Sequence, residues 1–99
     1  MMIERSNKLP VKHPGLIFNE RILVRHEISI TEAAKKLHMS RKQVSLFANG
    51  NSDVSVSLAK KLEVSTGISA GFWLNTQKSY DLFKSKDVVV EAEPLYSFG

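Results

Sequence analysis

The chain has 99 residues, of which 42% are hydrophobic and 24% charged, with 5 Gly, 3 Pro and 0 Cys. This length supplies one hydrophobic core, and this composition excludes collagen-like and wholly disordered chains. Without Cys, disulfides, thiolate zinc sites and cysteine nucleophiles are excluded. The formal net charge of +4 divides into +6 over residues 1–61 and −2 over residues 62–99. Such a division is typical of one surface facing polyanions and another facing a different partner, although solvated helix faces explain it at least as well.

The organisation of the chain is predicted from its apolar runs and its periodicity. No apolar run approaches the roughly 20 residues of a membrane span, and residues 1–10 lack the apolar stretch of a secretory signal. We therefore expect a soluble, cytoplasmic protein. The pattern predicts a flexible N-terminal arm over residues 1–12, one domain over residues 13–86 and a C-terminal tail over residues 87–99.

Two helices are predicted in the first part of the domain. Pro14, within His13-Pro14-Gly15, suits the first turn of a helix. A backbone N–H there has no acceptor within the helix, so the lack of an N–H in proline costs nothing. Ser29 to Thr31 offers capping hydroxyls for a second, short helix. Apolar residues at helical spacing define the inward faces: Ile17, Phe18, Ile22 and Leu23 in the first helix, and Ala34 and Leu37 in the second.

A third helix is predicted over Arg41 to Ala48. Ser40 stands at the N-cap position and Gln43 follows three residues later, which is the spacing of a capping box. The pair Asn49-Gly50 tolerates left-handed geometry and ends the helix. Its inward stripe is Val44, Phe47 and Ala48.

Two more helices and a tail complete the predicted all-α fold. A fourth helix covers Ser55 to Thr66, and a fifth begins at Ser69. Its inward face is predicted to hold Phe72, Trp73, Thr76, Tyr80 and Phe83, whereas Gln77, Lys78, Asp81 and Lys84 reach solvent. The β-branched run Val88 to Val90 lies among acids, and a strand and a disordered tail are equally consistent with it.

The second and third helices are joined by a turn of about four residues, the connection of a helix-turn-helix, whose second helix enters the DNA major groove. With its apolar stripe turned inward, the third helix exposes Arg, Lys and Gln, the residue types that read guanine and adenine edges. The competing interpretation is that Gln43 only closes the capping box and that Arg41 and Lys42 only solvate a surface helix. The candidate DNA-binding residues are Thr31, Ser40, Arg41, Lys42, Gln43, Ser45 and Asn49.

Four groups of residues match one family in register. They are His13-Pro14-Gly15 with Glu20, then Met39-Ser40-Arg41-Lys42 with Val44-Ser45 and Asn49-Gly50, then Ala59 with Leu62, and finally Phe72-Trp73-Leu74-Asn75 with Gln77 and Tyr80-Asp81-Leu82. On these residues the stretch from His13 to Phe83 resembles the HigA-type antitoxins, also described as VapI-like or virulence-associated, within the Xre/Cro helix-turn-helix family.

The resemblance implies a five-helix, lambda repressor-like fold and a homodimeric antitoxin of a type II toxin–antitoxin system. Such a protein binds double-stranded operator DNA, represses its own operon and neutralises a RelE-like, mRNA-cleaving toxin. Ile30 stands where the family commonly has Gln, and Leu46 where a polar or basic residue is common, so the polar surface expected against DNA is reduced. Two alternatives therefore stay open: a protein-binding antitoxin with weakened DNA binding, and a free-standing Xre-type repressor.

The other candidate sites favour structural interpretations. The spacing of His13, His26 and His38 is not that of metal ligands, and we interpret these residues as caps and surface groups. The acids show no paired arrangement for acid–base catalysis. We therefore expect no metal, cofactor, small-molecule substrate or enzyme activity. Phe72, Trp73 and Tyr80 are interpreted as core or dimer anchors rather than as a stacking surface for RNA. For the toxin, the sequence indicates Val88 to Val90 with Glu91 and Glu93, and the N-terminal arm is the competing surface.

Overall fold

A computed structural model of the protein describes residues 11–97. Over that range the chain forms five α-helices and no β-strand: α1 (Pro14–Phe18), which continues directly into a wider π-helical segment (Asn19–Val24), α2 (Ile30–Leu37), α3 (Arg41–Ala48), α4 (Val56–Thr66) and α5 (Ala70–Lys84). The prediction of an all-α fold with five helices is confirmed. The predicted N-terminal arm lies almost wholly outside the described residues. No helix between residues 11 and 97 is both long and apolar enough to cross a membrane.

Each of the five α-helices begins at a side chain that accepts a hydrogen bond from an N–H of its first turn. This satisfies a donor that has no acceptor within the helix. Ser40 and Ser69 cap α3 and α5, as predicted. The other capping residues are His13, Ser29 and Ser55.

The hydrophobic core lies where all five helices meet. Trp73 of α5 is 0% exposed, and its ring stands edge-on to that of Phe18, with 6.4 Å between the ring centroids. The predicted inward stripe of α3 is confirmed, since its three residues are at most 2% exposed. The largest fully buried side chains are Trp73, Phe47, Leu62, Val44 and Pro14.

The inward face of α5 is narrower than the sequence predicts. Phe72 is exposed, and Tyr80 is only half-buried. Gln77, predicted to reach solvent, is 5% exposed, so that prediction is wrong. Gln77 follows Trp73 by four residues, and this spacing places both on the side of α5 that faces the core. Lys78, Asp81 and Lys84 are exposed, as predicted.

The tail shows neither helix nor strand between residues 87 and 97, and every residue there is exposed. Val88, Val89 and Val90 are 64–88% exposed. Of the two structures that the sequence allowed for this segment, the strand is not formed in the single chain. An isolated strand would have no neighbouring strand to accept its backbone hydrogen bonds, which accounts for this result.

Candidate nucleic-acid interface

The turn between α2 and α3 is held from several sides. His38 ends α2 in the left-handed region with φ 57°, and the Met39 N–H donates to the carbonyl of Ala34 at 3.0 Å. Lys61 of α4 donates from Nζ to the carbonyl of His38 at 3.2 Å. Met39 is half-buried and packs against the core. These contacts fix the angle at which α3 leaves the turn.

The N-terminus of α3 carries the predicted capping box. Ser40 Oγ accepts from the Gln43 N–H at 3.0 Å, and Gln43 Oε1 accepts from the Ser40 N–H at 2.9 Å. The N–H groups of Arg41 and Lys42 have no acceptor within the helix, and the first turn contains no acidic residue. The positive end of the helix dipole is therefore open to an anion such as a phosphate.

The outer face of α3 is polar and accessible. Arg41, Lys42 and Gln43 are exposed, and neither of the two cations forms an ion pair within residues 11–97. Further along the face, Ser45 is half-buried and Asn49 is exposed; the Asn49 Nδ2 donates to the Ser45 carbonyl at 2.8 Å. The candidate residues of α3 thus lie outside the buried stripe that anchors the helix.

The two positions that depart from the family pattern have different surroundings. Ile30, the first residue of α2, is half-buried and packs against the core, so it contributes to folding. Its neighbour Thr31 is exposed in the first turn of α2. Leu46 is 39% exposed on the outer face of α3 and places an apolar group among the polar candidates.

Residues 20–73 match the family described as Helix-turn-helix. The chain belongs to the Xre-like helix-turn-helix family. Virulence-associated protein A of Dichelobacter nodosus is 39% identical over 71 residues, which are 71% of this chain and 70% of that protein. This relative agrees with the virulence-associated branch that the sequence indicates.

Solved structures give the same result for this helix-turn-helix protein. The antitoxin HigA of Pseudomonas aeruginosa, solved with the higBA promoter, is 30% identical with a TM-score of 0.77 and covers 87% of this chain and 99% of its own. An addiction module antidote protein of the HigA family from Coxiella burnetii is 28% identical with a TM-score of 0.71 and covers 85% of this chain and 100% of its own. The chain thus shares the helix-turn-helix fold of proteins described as antitoxins, and its family consists of regulators rather than enzymes.

His13 fixes the start of α1 against α3 and α5 in the helix-turn-helix protein. It is 3% exposed, its Nδ1 accepts from the Gly15 N–H at 2.8 Å, and its ring meets that of Tyr80 edge-on at 4.8 Å. The interpretation of the histidines as caps and surface groups is correct for the capping role of His13 and wrong for its exposure. Its position before Pro14 was the available signal for the cap.

Gln77 holds the loop that follows α3, and sequence reasoning missed it. Its Oε1 accepts from the buried Val54 N–H at 2.8 Å. Its Nε2 donates to Asp81 Oδ1 at 3.0 Å and to Asp53 Oδ1 at 3.3 Å. A buried backbone N–H without an acceptor is costly, which explains a buried Gln at this position.

The remaining candidates, for a metal site and for an aromatic stacking surface, are explained by the packing of the fold. Within the described range, no group of three or more His, Asp or Glu side chains is placed to hold a metal ion. Trp73 is a core residue, and Phe72 lies at the edge of the core with its ring centroid 5.3 Å from that of Trp73. Tyr80 packs on His13. Of these three aromatic residues, Phe72 is the most exposed.

The buried His13 predicts a loss of stability in acid. Burial lowers the pKa of His13 below 6.5. The carboxylates of Asp53 and Asp81 and a hydrogen bond with the backbone of Ser52 oppose this shift in part, whereas the nearby Lys84 adds to it. A pKa lower in the folded state makes this stability fully present above the unfolded value of about 6.5 and lost as the pH falls toward the folded value. We expect the urea midpoint to fall more steeply as the pH drops below about 6.5 in the wild type than in His13→Asn, which keeps a good N-cap.

The control for this titration is His26→Gln, because His26 is exposed. This variant should keep the steep pH dependence of the wild type. A His13→Asn protein with the same pH dependence as the wild type would show that another group is responsible.

Proposed function

We propose that this helix-turn-helix protein is the antitoxin of a type II toxin–antitoxin system and that it binds the operator of its own operon as a homodimer. The observation that carries the proposal is α3, whose buried stripe and capping box fix its orientation while its cationic first turn stays exposed. The likeness to an antitoxin solved with its promoter supports the same function.

In the proposed complex, two copies related by a two-fold axis place their α3 helices in successive major grooves, about 34 Å apart, and select an inverted repeat. Ser40, Arg41 and the free amides of the first turn hold phosphates, with Thr31 flanking them at the start of α2. Within the groove, the bases are read by Lys42, Gln43 and Ser45 of α3. Asn49 lies beyond them, at the end of the helix.

Gln43→Ala is expected to weaken binding to the native promoter by about 1 to 3 kcal/mol, with little change on a random duplex, because base contacts discriminate and phosphate contacts do not. Fluorescence anisotropy with both duplexes measures the difference. A urea titration of the same variant quantifies the stability lost with the capping box, about 1 kcal/mol. Equal losses on both duplexes would refute the readout role.

Lys42 is tested by the salt dependence of the same binding reaction. If its ammonium contacts a phosphate, Lys42→Ala lowers the slope of log K against log[salt] by about one unit. Lys78→Ala removes the same charge from an exposed position on α5 and serves as the matched control. Unequal effects on promoter and random DNA with an unchanged slope would instead support the base readout proposed above for Lys42.

We propose that the tail binds a RelE-like toxin. Residues 87–97 contain three acids and no Lys or Arg, and Val88 to Val90 are exposed with their backbone free of helix and strand. A chain of this kind can add a strand to the sheet edge of a basic partner: the backbone hydrogen bonds give affinity, while Glu91 and Glu93 accelerate association.

Deleting residues 87–99 is expected to abolish neutralisation and to leave operator binding unchanged. Co-expression with the toxin encoded beside the gene measures neutralisation as cell growth, and anisotropy measures DNA binding. Deleting residues 1–10 is the matched control for the competing N-terminal surface. Growth rescued by the tail-deleted protein would eliminate the tail as the toxin site.

Leu46 favours a second candidate, an antitoxin that binds its toxin but has weakened DNA contacts. An apolar side chain 39% exposed on the outer face of α3 reduces the polar surface available to the groove. The promoter titration separates the two candidates: specific binding supports the repressor, whereas neutralisation without specific binding supports the second candidate. A free-standing Xre-type repressor would bind its operator with no toxin gene beside its own.

A further inference from the structure

We infer that the first turn of α3 selects guanine, because Gln43 meets the groove as a hydrogen-bond donor only. This inference rests on the proposed DNA-binding function and adds the class of base that the helix recognises.

The capping box fixes which end of the Gln43 amide faces outward. The Ser40 N–H is a donor, so the amide atom 2.9 Å from it must be the oxygen, Oε1. The Nε2 group is left on the exposed side of the helix, where it forms no hydrogen bond with any described residue. Its two N–H groups are therefore the part of Gln43 that a base edge meets.

The neighbouring groups have the same polarity. Lys42 carries only donors, and no acidic residue in the first turn provides a competing acceptor. One turn further on, Ser45 Oγ lies 3.4 Å from the Asn49 Nδ2, which donates toward it, so the Ser45 hydroxyl keeps its own hydrogen to donate. Lys42 and the outward end of Gln43 thus offer donors only, and Ser45 can donate as well.

Major-groove chemistry then favours one base. Guanine presents two acceptors, N7 and O6, whereas cytosine presents the N4 donor. Adenine presents an acceptor beside a donor, and a bidentate contact to it requires the Gln oxygen as well as the nitrogen. Since that oxygen is already bonded to the Ser40 N–H, reading adenine in this way would require Gln43 to leave its cap. Thymine presents a single acceptor, O4, beside its methyl group, so guanine is the base that offers the capped side chain two acceptors without that loss.

Gln43→Glu tests this assignment without removing the cap. A Glu carboxylate accepts the Ser40 N–H as the Gln oxygen does, since Ser and Glu at this spacing also form a capping box. The outward group changes from a donor to an acceptor. Selection from a random duplex library with the full-length wild type should enrich guanine at one position of each half-site. The variant should lose that enrichment and favour cytosine at the same position.

Two further measurements complete the test. Replacing the selected guanine by 7-deazaguanine removes the N7 acceptor and should weaken wild-type binding about tenfold. Lys78→Gln changes the net charge by the same amount as Gln43→Glu, at an exposed position on α5, and should select the wild-type motif. Thermal unfolding confirms that both variants fold.

The outcomes are distinct. Enrichment of adenine by the wild type, an unchanged motif for Gln43→Glu, or unchanged affinity for the 7-deazaguanine duplex overturns the donor-only assignment while leaving operator binding intact. A wild-type protein that enriches no motif overturns the proposed function and this assignment together.

Discussion

Trp73→Ala is expected to destabilise the fold by about 3 to 5 kcal/mol, the range for removing a large aromatic side chain from a packed core. Trp73 is 0% exposed, and its ring lies edge-on to those of Phe18 on α1 and Phe72 on its own helix. A domain of this size has a total stability near the low end of 5 to 15 kcal/mol. The variant is therefore expected to be largely unfolded at 37 °C, as measured by circular dichroism and urea titration.

Two matched variants separate burial from the mere presence of an aromatic ring. Phe72→Ala removes the partly exposed neighbour of Trp73 and is expected to cost about 1.5 kcal/mol, less than Trp73→Ala, since the Phe72 side chain is already 38% exposed. Trp73→Phe leaves a smaller cavity and also removes the Trp73 N–H, which is buried and has no hydrogen-bond acceptor among the described residues. The urea midpoint of Trp73→Phe should lie between those of the wild type and Trp73→Ala. Equal losses for Phe72→Ala and Trp73→Ala would contradict the core placement of Trp73.

Gly15→Ala is expected to destabilise the protein by about 3 kcal/mol, the upper part of the range for an overpacked core. A Cβ built on Gly15 overlaps the backbone carbonyl of Phe47, and backbone atoms cannot turn aside as a flexible side chain can. The start of α1 and the end of α3 would therefore have to separate. Because α3 is positioned by this contact, operator affinity should fall together with the urea midpoint.

Gly71→Ala is the matched control for Gly15→Ala, since Gly71 also lies in the first turn of a helix. A Cβ there meets nothing closer than Ser69 Oγ at 3.9 Å. Removing the flexibility of glycine from the unfolded chain is expected to stabilise the protein by about 0.4 to 1 kcal/mol. The two Gly→Ala changes should thus have opposite signs. A Gly15→Ala protein as stable as the wild type would show that α1 and α3 are less closely packed.

The fold could be predicted where local rules act alone. The caps at Ser40 and Ser69, the capping box through Gln43 and the inward stripe of α3 depend on residues within about four positions of one another. Helical periodicity and turn chemistry describe such short-range relations directly. The same rules place the polar face of α3 outside, which is why its exposed candidates could be named from the sequence.

The remaining features depend on contacts between distant residues. Gln77 is buried because the Val54 N–H, 23 residues earlier, needs an acceptor. His13 is buried because Phe47 and Tyr80 close over it from two other helices. Gly15 is constrained by a carbonyl on α3. Periodicity within one helix contains no information on these pairs, so Gln77 was wrongly predicted to reach solvent.

The orientation of the Gln43 amide shows the same limit at the candidate site. The sequence offered two roles for this residue, a cap or a base contact. The structure shows that one end of the amide forms the cap while the other end stays exposed. A residue-level pattern cannot distinguish the two ends of one side chain, whereas their hydrogen-bond polarity determines which bases the helix can recognise.

The most direct test of α3 as the DNA-reading element is an NMR titration of the full-length protein with a duplex from its own promoter. The amide resonances of residues 40–46, together with that of Thr31, are expected to shift most, and those of α5 least. A titration in which α3 stays unshifted while other surfaces respond would contradict the assignment of this helix to the DNA groove.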